Sequence, residues 1–465
     1  MATKEFPLVP QTVEKVNTKY RKIVTKIPAP GSIKLLTKLR DIEPRSMGGQ
    51  PPIIWHRGKG VTISDPYGNR WLDFSSGVLV TASGHGRPEI VKAIKDQAAQ
   101  LYHAYCFPTE VRYNLVAELS TILPPPLKRV FLLTTGSEAC ECCIKLARTK
   151  GLAVGGKKKS VFVSFDGGFH GRTMGSQLAG GSAALKEWIG DLDPRFVQVP
   201  FPDGFRQKET SFAVFEKALA DKGVNPDDVC GVMGETYQGG NATLFPAEYA
   251  QALRKWCDAH KAVLIFDEIQ AGFGRCGKWF GFQHLGVVPD LVACGKGISG
   301  GLPLAAVLGT EDLMNAYGPG EMTSTHGASA LCAAASLANL KVIKKARLVQ
   351  NAAKLAGVLA DGAARIQAAS GGKIGHWAST GLVAALQFTK NGTTVPDPEP
   401  AWEFVRRAVQ KGIMLFAPVG MGGCAVKLNP PLVITKDALL EGLGVLEGVA
   451  AEVAKLPAEG GMIDN

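Results

Sequence analysis

Residues 263–282 read VLIFDEIQAGFGRCGKWFGF, four apolar residues running straight into two carboxylates, a glutamine and a glycine-rich stretch. Val263, Leu264, Ile265 and Phe266 have the length and composition of a strand buried on both faces of a parallel sheet. The interior of such a strand has no place for Asp267 and Glu268, so the two acids mark its end. ACGKGISGGLPLAAVLG follows at 293–309, with Lys296 between Gly295 and Gly297 at the end of a second apolar run. The segments before this pair repeat the pattern. RVFLLTTGSEACECCIKLARTKG gives a strand, a glycine turn and a helix, and SVFVSFDGGFHGRT gives a strand and a loop. DVCGVMGETYQGG is a further strand, and FPAEYAQALRKWCDAHK is the helix before Val263. Strand–helix alternation over roughly 200 residues predicts an α/β fold with a doubly wound, mostly parallel central sheet. Ligands of such sheets bind beyond the carboxyl ends of the strands, where these polar residues fall.

The flanks read differently. GVTISDPYGNRWLDFSSG (60–77) predicts two alternating strands around a turn, and RPEIVKAIKDQAAQLYH (87–103) a helix. After residue 335 an Ala/Lys/Leu-rich helical stretch runs to about 370, followed by the strands TGLVAALQFTK, GIMLFAPVG and CAVKLNPPLVIT and a closing helix over 435–455. This patterning predicts an arm and part of a small domain over 1–75, a large domain over 76–344 and a smaller α+β domain over 345–465. The last ten residues read as loose.

Composition narrows the function. At 465 residues, 46% hydrophobic and 20% charged, the chain is globular rather than disordered. No apolar run approaches the roughly 18–20 residues that span a bilayer. The N-terminus lacks a secretory h-region, so no export is expected. Ten Cys without framework spacing suit reduced thiols, which places the protein in the cytoplasm. The net charge of +11 is concentrated at one end, since residues 1–45 hold ten Lys/Arg against four Asp/Glu. That arm reads as solvated and partly helical, and neither a nucleic-acid nor a membrane contact is expected.

Lys296 standing alone reads as a snorkelling surface lysine. With Asp267 closing the neighbouring strand, the two can line one crevice. A buried lysine of lowered pKa forms a Schiff base with an aldehyde, and a carboxylate keeps a pyridine nitrogen protonated. That pairing is the one pyridoxal phosphate requires. TTGSEACECCIKLAR offers a phosphate cup, a strand followed by Gly136 and Ser137 at a helix N-terminus, where unpaired N–H groups and the helix dipole attract an anion. Cys140, Cys142 and Cys143 on that helix read as small buried residues, and no set of ligands is spaced for a metal. His170 reads as a hydrogen-bonded structural histidine. Glu268 is open between a role in the site and a structural pairing with a nearby arginine such as Arg275.

VLIFDEIQAGFGRCGKWFGF with GVVPDLVACGKGISGGLPLAAVLG, TTGSEA, FHGRT and GNRWLDFSSG together resemble the class III pyridoxal-phosphate aminotransferases, over roughly residues 50–455. That family includes 4-aminobutyrate, ornithine and acetylornithine transaminases and dialkylglycine decarboxylase. The resemblance implies fold type I, pyridoxal 5′-phosphate as cofactor, and a homodimer or dimer of dimers with active sites at the subunit interface. It implies that Lys296 carries the cofactor and moves the proton, and that Asp267 meets the ring nitrogen. Ile269 and Phe169 would flank the ring, and Gln270 would meet its hydroxyl. Gly136 and Ser137 would hold the phosphate, with His170 and Glu235 nearby and Thr325 reaching in from a second subunit.

For the substrate, the resemblance assigns Arg172, Lys427 and Val78. Arg172 matches an arginine that meets a distal carboxylate. Lys427 stands where relatives carry an arginine for the α-carboxylate, and a lysine lacks the bidentate fork. Gly240, after Gln238-Gly239, stands where 4-aminobutyrate-type enzymes carry a glutamate that pairs with that arginine. The expected activity is transfer of an amino group from an ω-amino acid or other primary amine to a 2-oxo acid by a ping-pong cycle. A racemase, an epimerase or a dialkylglycine-type decarboxylase is the alternative on the same scaffold, and a non-catalytic cofactor-binding sensor is the alternative outside enzymes.

Overall fold

The structure, a computed structural model, describes residues 5–457. They separate into two compact units, one of residues 88–353 and one of residues 1–87 with 354–465. The expected looseness of the last ten residues falls mainly on 458–465, outside the described residues.

The 88–353 unit is built on a seven-stranded sheet. In spatial order its strands are Arg129–Leu133, Ala305–Gly309, Leu291–Cys294, Val263–Asp267, Val229–Glu235, Val161–Phe165 and Phe196–Val199. Ala305–Gly309 runs antiparallel to both of its neighbours, and the remaining pairings are parallel. Val263–Asp267 and Val229–Glu235 are buried at every residue, as their unbroken apolar composition requires of strands covered on both faces. The helix Gly136–Gly155 packs Ala139, Cys140, Cys143, Leu146 and Ala147 into the core on this sheet, against Ile265, Ala293 and Val307. Parallel strands bring their carboxyl ends to one edge. Residues 134–138, 166–172, 235–240, 267–272 and 295–298 therefore emerge side by side.

The opposite edge is tied down by one lysine. Lys159 is 3% exposed, and its Nζ donates to the carbonyls of Asp227 (3.0 Å), Val229 (2.8 Å) and His260 (2.7 Å). Standing just before Val161–Phe165, this cation ties the start of its own strand to the start of Val229–Glu235 and to the turn before Val263–Asp267.

In the other unit, Arg70–Asp73 pairs with Thr62–Ser64, with Lys22–Ile23 and, in parallel, with Ile413–Met414. A second sheet holds Ile374–Thr380, Val383–Phe388 and Ala425–Leu428. The basic arm departs from its solvated reading. Phe6, Ile23, Ile27 and Ala29 are buried, Phe6 lies 4.7 Å from the Trp402 ring, and residues 16–23 form a hairpin whose second strand meets Arg70. The charges stay outside while a few apolar residues between them reach the core. The expected helix in the arm is Ile33–Ile42, and the helical stretch at 335–370 is two helices, Ala330–Lys345 and Leu348–Ala369, broken where Arg347 takes a φ of +52°. Among the described residues no helix is long and apolar enough to cross a membrane.

Replacing Lys159 with Met keeps much of the apolar stem but strips three carbonyls, that of Val229 buried, of their donor. A loss of roughly 2–4 kcal/mol is expected in urea denaturation, with the cofactor affinity of the folded fraction unchanged. A loss below about 0.5 kcal/mol, the range of neutral surface changes, would show that the lysine holds nothing.

Candidate active site

Strand register places the acids. Asp267 pairs with Glu235 on one side and with Ala293 on the other. Laterally paired residues point to the same face of a sheet, so Asp267 and Glu235 stand next to each other at the rim. Asp267 is 4% exposed and accepts three hydrogen bonds. Its Oδ1 takes the Ile269 N–H at 3.0 Å, and its Oδ2 lies 2.8 Å from His170 Nδ1 and 3.5 Å from Cys140 Sγ. His170 is 2% exposed. Burial acts to lower its pKa, but the bond to Asp267 and the charges of Asp267 and Glu235 prevail and push it up.

Glu235 is 6% exposed, and its Oε2 accepts the Phe169 N–H at 3.1 Å while Oε1 accepts the Gly239 N–H at 2.9 Å. Burial pushes its carboxyl up, against the pull of His170. Gln270 lies beside it. A Cβ added to Gly239 would fall 2.2 Å from Gln270 Nε2 and 2.7 Å from Glu235 Oε1, so only glycine fits there. Glu268, fully buried, points away to a structural task. It accepts the N–H groups of Gly281 and Phe282 and the Thr236 hydroxyl, each at 2.8 Å, and burial pushes it up to about 7 against those donors.

The helix Gly136–Gly155 opens with a capping box. The Thr135 side chain accepts the Glu138 N–H, and Glu138 accepts the N–H groups of Thr134 and Thr135. Glu138 thus turns back along the chain, and the capping box does not take up the Gly136 and Ser137 N–H groups. Two glycines around this turn are crowded by neighbouring side chains. A Cβ on Gly136 would sit 2.9 Å from Ile269 Cδ1, and one on Gly171 would sit 2.3 Å from Ser137 Oγ.

Lys296 adopts a φ of +44° in the short turn after Leu291–Cys294. Left-handed backbone in a lysine is uncommon and points to a constrained site. Burial pushes its ammonium below the ordinary lysine range, and Asp267, Glu235 and Cys140 oppose that shift. Phe169 is 38% exposed, and the Arg172 guanidinium lies 5.7 Å from its ring centroid.

Three further expected site residues stand on other segments of the chain. Thr325 lines an open cleft of about 670 Å³ with Thr134, Glu138, Thr173 and His326 of the same chain. Lys427 and Val78 belong to the other unit. Lys427 is 1% exposed on Ala425–Leu428, opposite Ala385. Val78 is 43% exposed inside a left-handed turn, where Ser76, Gly77, Val78 and Leu79 have φ values of +49°, +56°, +61° and +65°. Such a turn costs about 1–2 kcal/mol per non-glycine residue. Asp73 holds its start by accepting the Ser75 N–H (2.7 Å) and hydroxyl (2.6 Å), and Asn429 donates to the Ser75 carbonyl at 2.6 Å.

A buried carboxylate, a lysine of depressed pKa and a helix N-terminus on one sheet edge form an arrangement that other proteins share. The aminotransferase class-III family model matches residues 45–449. A 4-aminobutyrate aminotransferase of Mycobacterium leprae is 34% identical over 447 residues, covering 93% of this chain and 98% of the relative. A 5-aminovalerate aminotransferase of Pseudomonas putida is 32% identical, covering 88% and 96%. Among solved structures, an (S)-enantioselective omega-transaminase of Thermomicrobium roseum superposes with a TM-score of 0.80 at 25% identity, covering 90% of this chain and 98% of that one. The chain belongs to the class III aminotransferases.

Its fold is therefore fold type I, its cofactor is pyridoxal 5′-phosphate, and its chemistry is transamination. The residues present fit that cofactor. The N–H groups of Gly136 and Ser137 at the first turn are left out of the capping box, and Asp267 accepts three bonds where a carboxylate group offers about four acceptor sites. Burial around Lys296 works against its charged form. Two contacts at this rim were not foreseen from the sequence. Cys140 is the small buried residue that was expected, and among the described residues its Sγ, a His170 ring nitrogen and an Asp267 oxygen lie within 4.8 Å of one another. Gly239 carried no signal beyond its place after Gln238.

The depressed lysine has a kinetic consequence. A lowered pKa means that Lys296 becomes a neutral nucleophile at lower pH than a free lysine does. Capture of pyridoxal phosphate by the apoenzyme, corrected for the titration of the cofactor itself, should accelerate through a midpoint below about 10.4, the unperturbed lysine value. A midpoint at or above that value would contradict the site.

Proposed function

We propose that this aminotransferase takes its amino group from an ω-amino acid, or a similar primary amine with a remote carboxylate, and passes it to a 2-oxo acid in a ping-pong cycle. The observation that carries this reading is Arg172. It is exposed beside Phe169, and among the described residues no acidic side chain pairs with it. A guanidinium kept available at the rim of the site suits bidentate recognition of a carboxylate. The relatives named for 4-aminobutyrate and 5-aminovalerate support the same donor class. Lys427 in place of a forked arginine, and Gly240 in place of its glutamate partner, favour a donor read at its far end over one gripped at an α-carboxylate.

Pyridoxal phosphate, when bound, supplies an aldehyde for the amine and a ring that accepts the electron pair left when a Cα–H bond breaks. The side chains supply the rest. Asp267 holds a proton at the ring nitrogen, and Gln270, beside Glu235, serves the ring hydroxyl. Ile269 and Phe169 flank the ring and exclude water from its faces, while the N–H groups of Gly136 and Ser137 hold the phosphate. Lys296 Nζ removes the Cα proton and returns it one carbon away, general base and then general acid by one group.

We further propose a cytoplasmic homodimer. The aromatic loop around Tyr102 (68% exposed) and Phe107 (73% exposed) is an apolar surface of the kind that subunit contacts cover. It is joined to the 322–329 loop through the Ser329 hydroxyl on the Tyr102 carbonyl (2.9 Å) and Tyr105 on Thr323 (3.1 Å). A second copy on this surface would set the loop carrying Thr325 beside its partner. The ten free cysteines suit a reducing compartment.

Incubation with a good donor and no acceptor should release one equivalent of oxo product per subunit, with turnover resuming when a 2-oxo acid is added. Donor racemised or decarboxylated without an acceptor would overturn transamination as the activity. Arg172→Ala should reduce kcat/KM by roughly ten- to a hundredfold for carboxylate-bearing donors while sparing simple amines, and equal losses across a donor panel would make Arg172 structural. Replacing Tyr102 and Phe107 together with Asp should yield inactive monomers in sedimentation velocity. A persisting dimer would place the interface elsewhere.

A further inference from the structure

The thiol of Cys140 is not used by the chemistry described above, yet it touches the carboxylate on which that chemistry depends. Cys140 is fully buried, and its Sγ lies 3.5 Å from Asp267 Oδ2. Burial, and then the Asp267 charge, push the thiol well above its usual range, so it is an S–H donor and not a thiolate. Its place on the helix gives the contact meaning. Gly136 and Cys140 are four residues apart and share one helix face. That face meets the strand ends at both points, since a Cβ on Gly136 would sit 2.9 Å from Ile269 Cδ1 and one on Gly295 would sit 3.6 Å from Gly136 Cα.

We propose that Cys140 is a positioning residue for the transamination, its S–H bond to Asp267 Oδ2 tying the ring-nitrogen carboxylate to the helix whose first turn holds the phosphate. The inference rests on the assignment of Asp267 and of the Gly136–Ser137 turn in the proposed function. Without the thiol, Asp267 is held by Ile269 in its own turn and by His170 on the 166–172 loop, neither of which is part of that helix. With it, one rigid 20-residue element sets the spacing between the two ends of the cofactor site. His170 takes the shorter and stronger bond, so Cys140 refines the orientation of Asp267 and does not create its charge.

Three variants separate the donor from the space it fills. Cys140→Ala and Cys140→Val remove the donor while shrinking and enlarging the side chain, and Cys140→Ser retains a donor. In the apoenzyme, the infrared difference spectrum of wild type minus Cys140→Ala should show an S–H stretch on the hydrogen-bonded side, displaced by Asp267→Asn. In the holoenzyme, Ala and Val should each weaken cofactor retention and lower kcat by about three- to tenfold, leaving KM for the donor within about twofold of wild type. Ser should recover most of both losses.

An S–H band at the free-thiol position, Ala and Val variants that match wild type, or a Ser variant as impaired as Ala would each overturn the inference. All three leave the assignment of Asp267 standing. That assignment fails on a different result, an Asp267→Asn enzyme with undiminished cofactor retention and turnover.

Discussion

Asp267 carries its carboxyl group at 4% exposure, where a polar group left without hydrogen-bond partners is costly. Three donors from three separate segments prevent this: the Ile269 N–H in its own turn, the His170 imidazole from the loop after Val161–Phe165, and the Cys140 thiol from the helix after Arg129–Leu133. Those segments meet because parallel strands deliver their carboxyl ends to one edge. The sheet is in this sense a device for bringing a chain's distant polar residues to one point. Glu235 on the neighbouring strand presses in the opposite direction. Burial pushes the Glu235 carboxyl up, His170 pulls against that shift, and the nearby Asp267 adds to it.

The same crowding explains the glycines. At 136, 171 and 239 a single added carbon would meet Ile269, Ser137 or Gln270 at less than 3 Å. A side chain at any of these positions would have to displace one of those residues. Strain accompanies the arrangement in both units. Lys296 sits in left-handed backbone, and residues 76–79 form four successive left-handed positions clamped by Asp73 and Asn429. Such conformations persist only where the surroundings over-determine them, a pattern typical of functional segments.

Much of the fold was legible because the strands of a sheet covered on both faces are continuous apolar runs, as at 263–267 and 291–294, with polar residues where the sheet ends. The arm was less legible. Its strands are two residues long and carry no periodicity, so its lysines and arginines dominated the reading while Ile23 and Phe6 entered the core unannounced. Ile374–Thr380 was missed for a related reason, since five of its seven residues are only half-buried and its apolar signal is weak. In the site, Asp267, Lys296 and the Gly136 turn announced themselves by chemistry out of keeping with their neighbours. Cys140 did not, because a cysteine in an apolar helix looks like any small core residue.

What the sequence by itself determined is most strands of the large sheet, the order in which they follow, and the placing of a lysine and an aspartate at strand ends, because local composition and period encode these directly. What only the tertiary structure decided is who touches whom at the rim. His170 and Asp267 are 97 residues apart along the chain, and Cys140 and Asp267 are 127 apart. No local pattern carries a contact of that range. It arises from strand register and helix packing, which place one side chain rather than its neighbour within bonding distance.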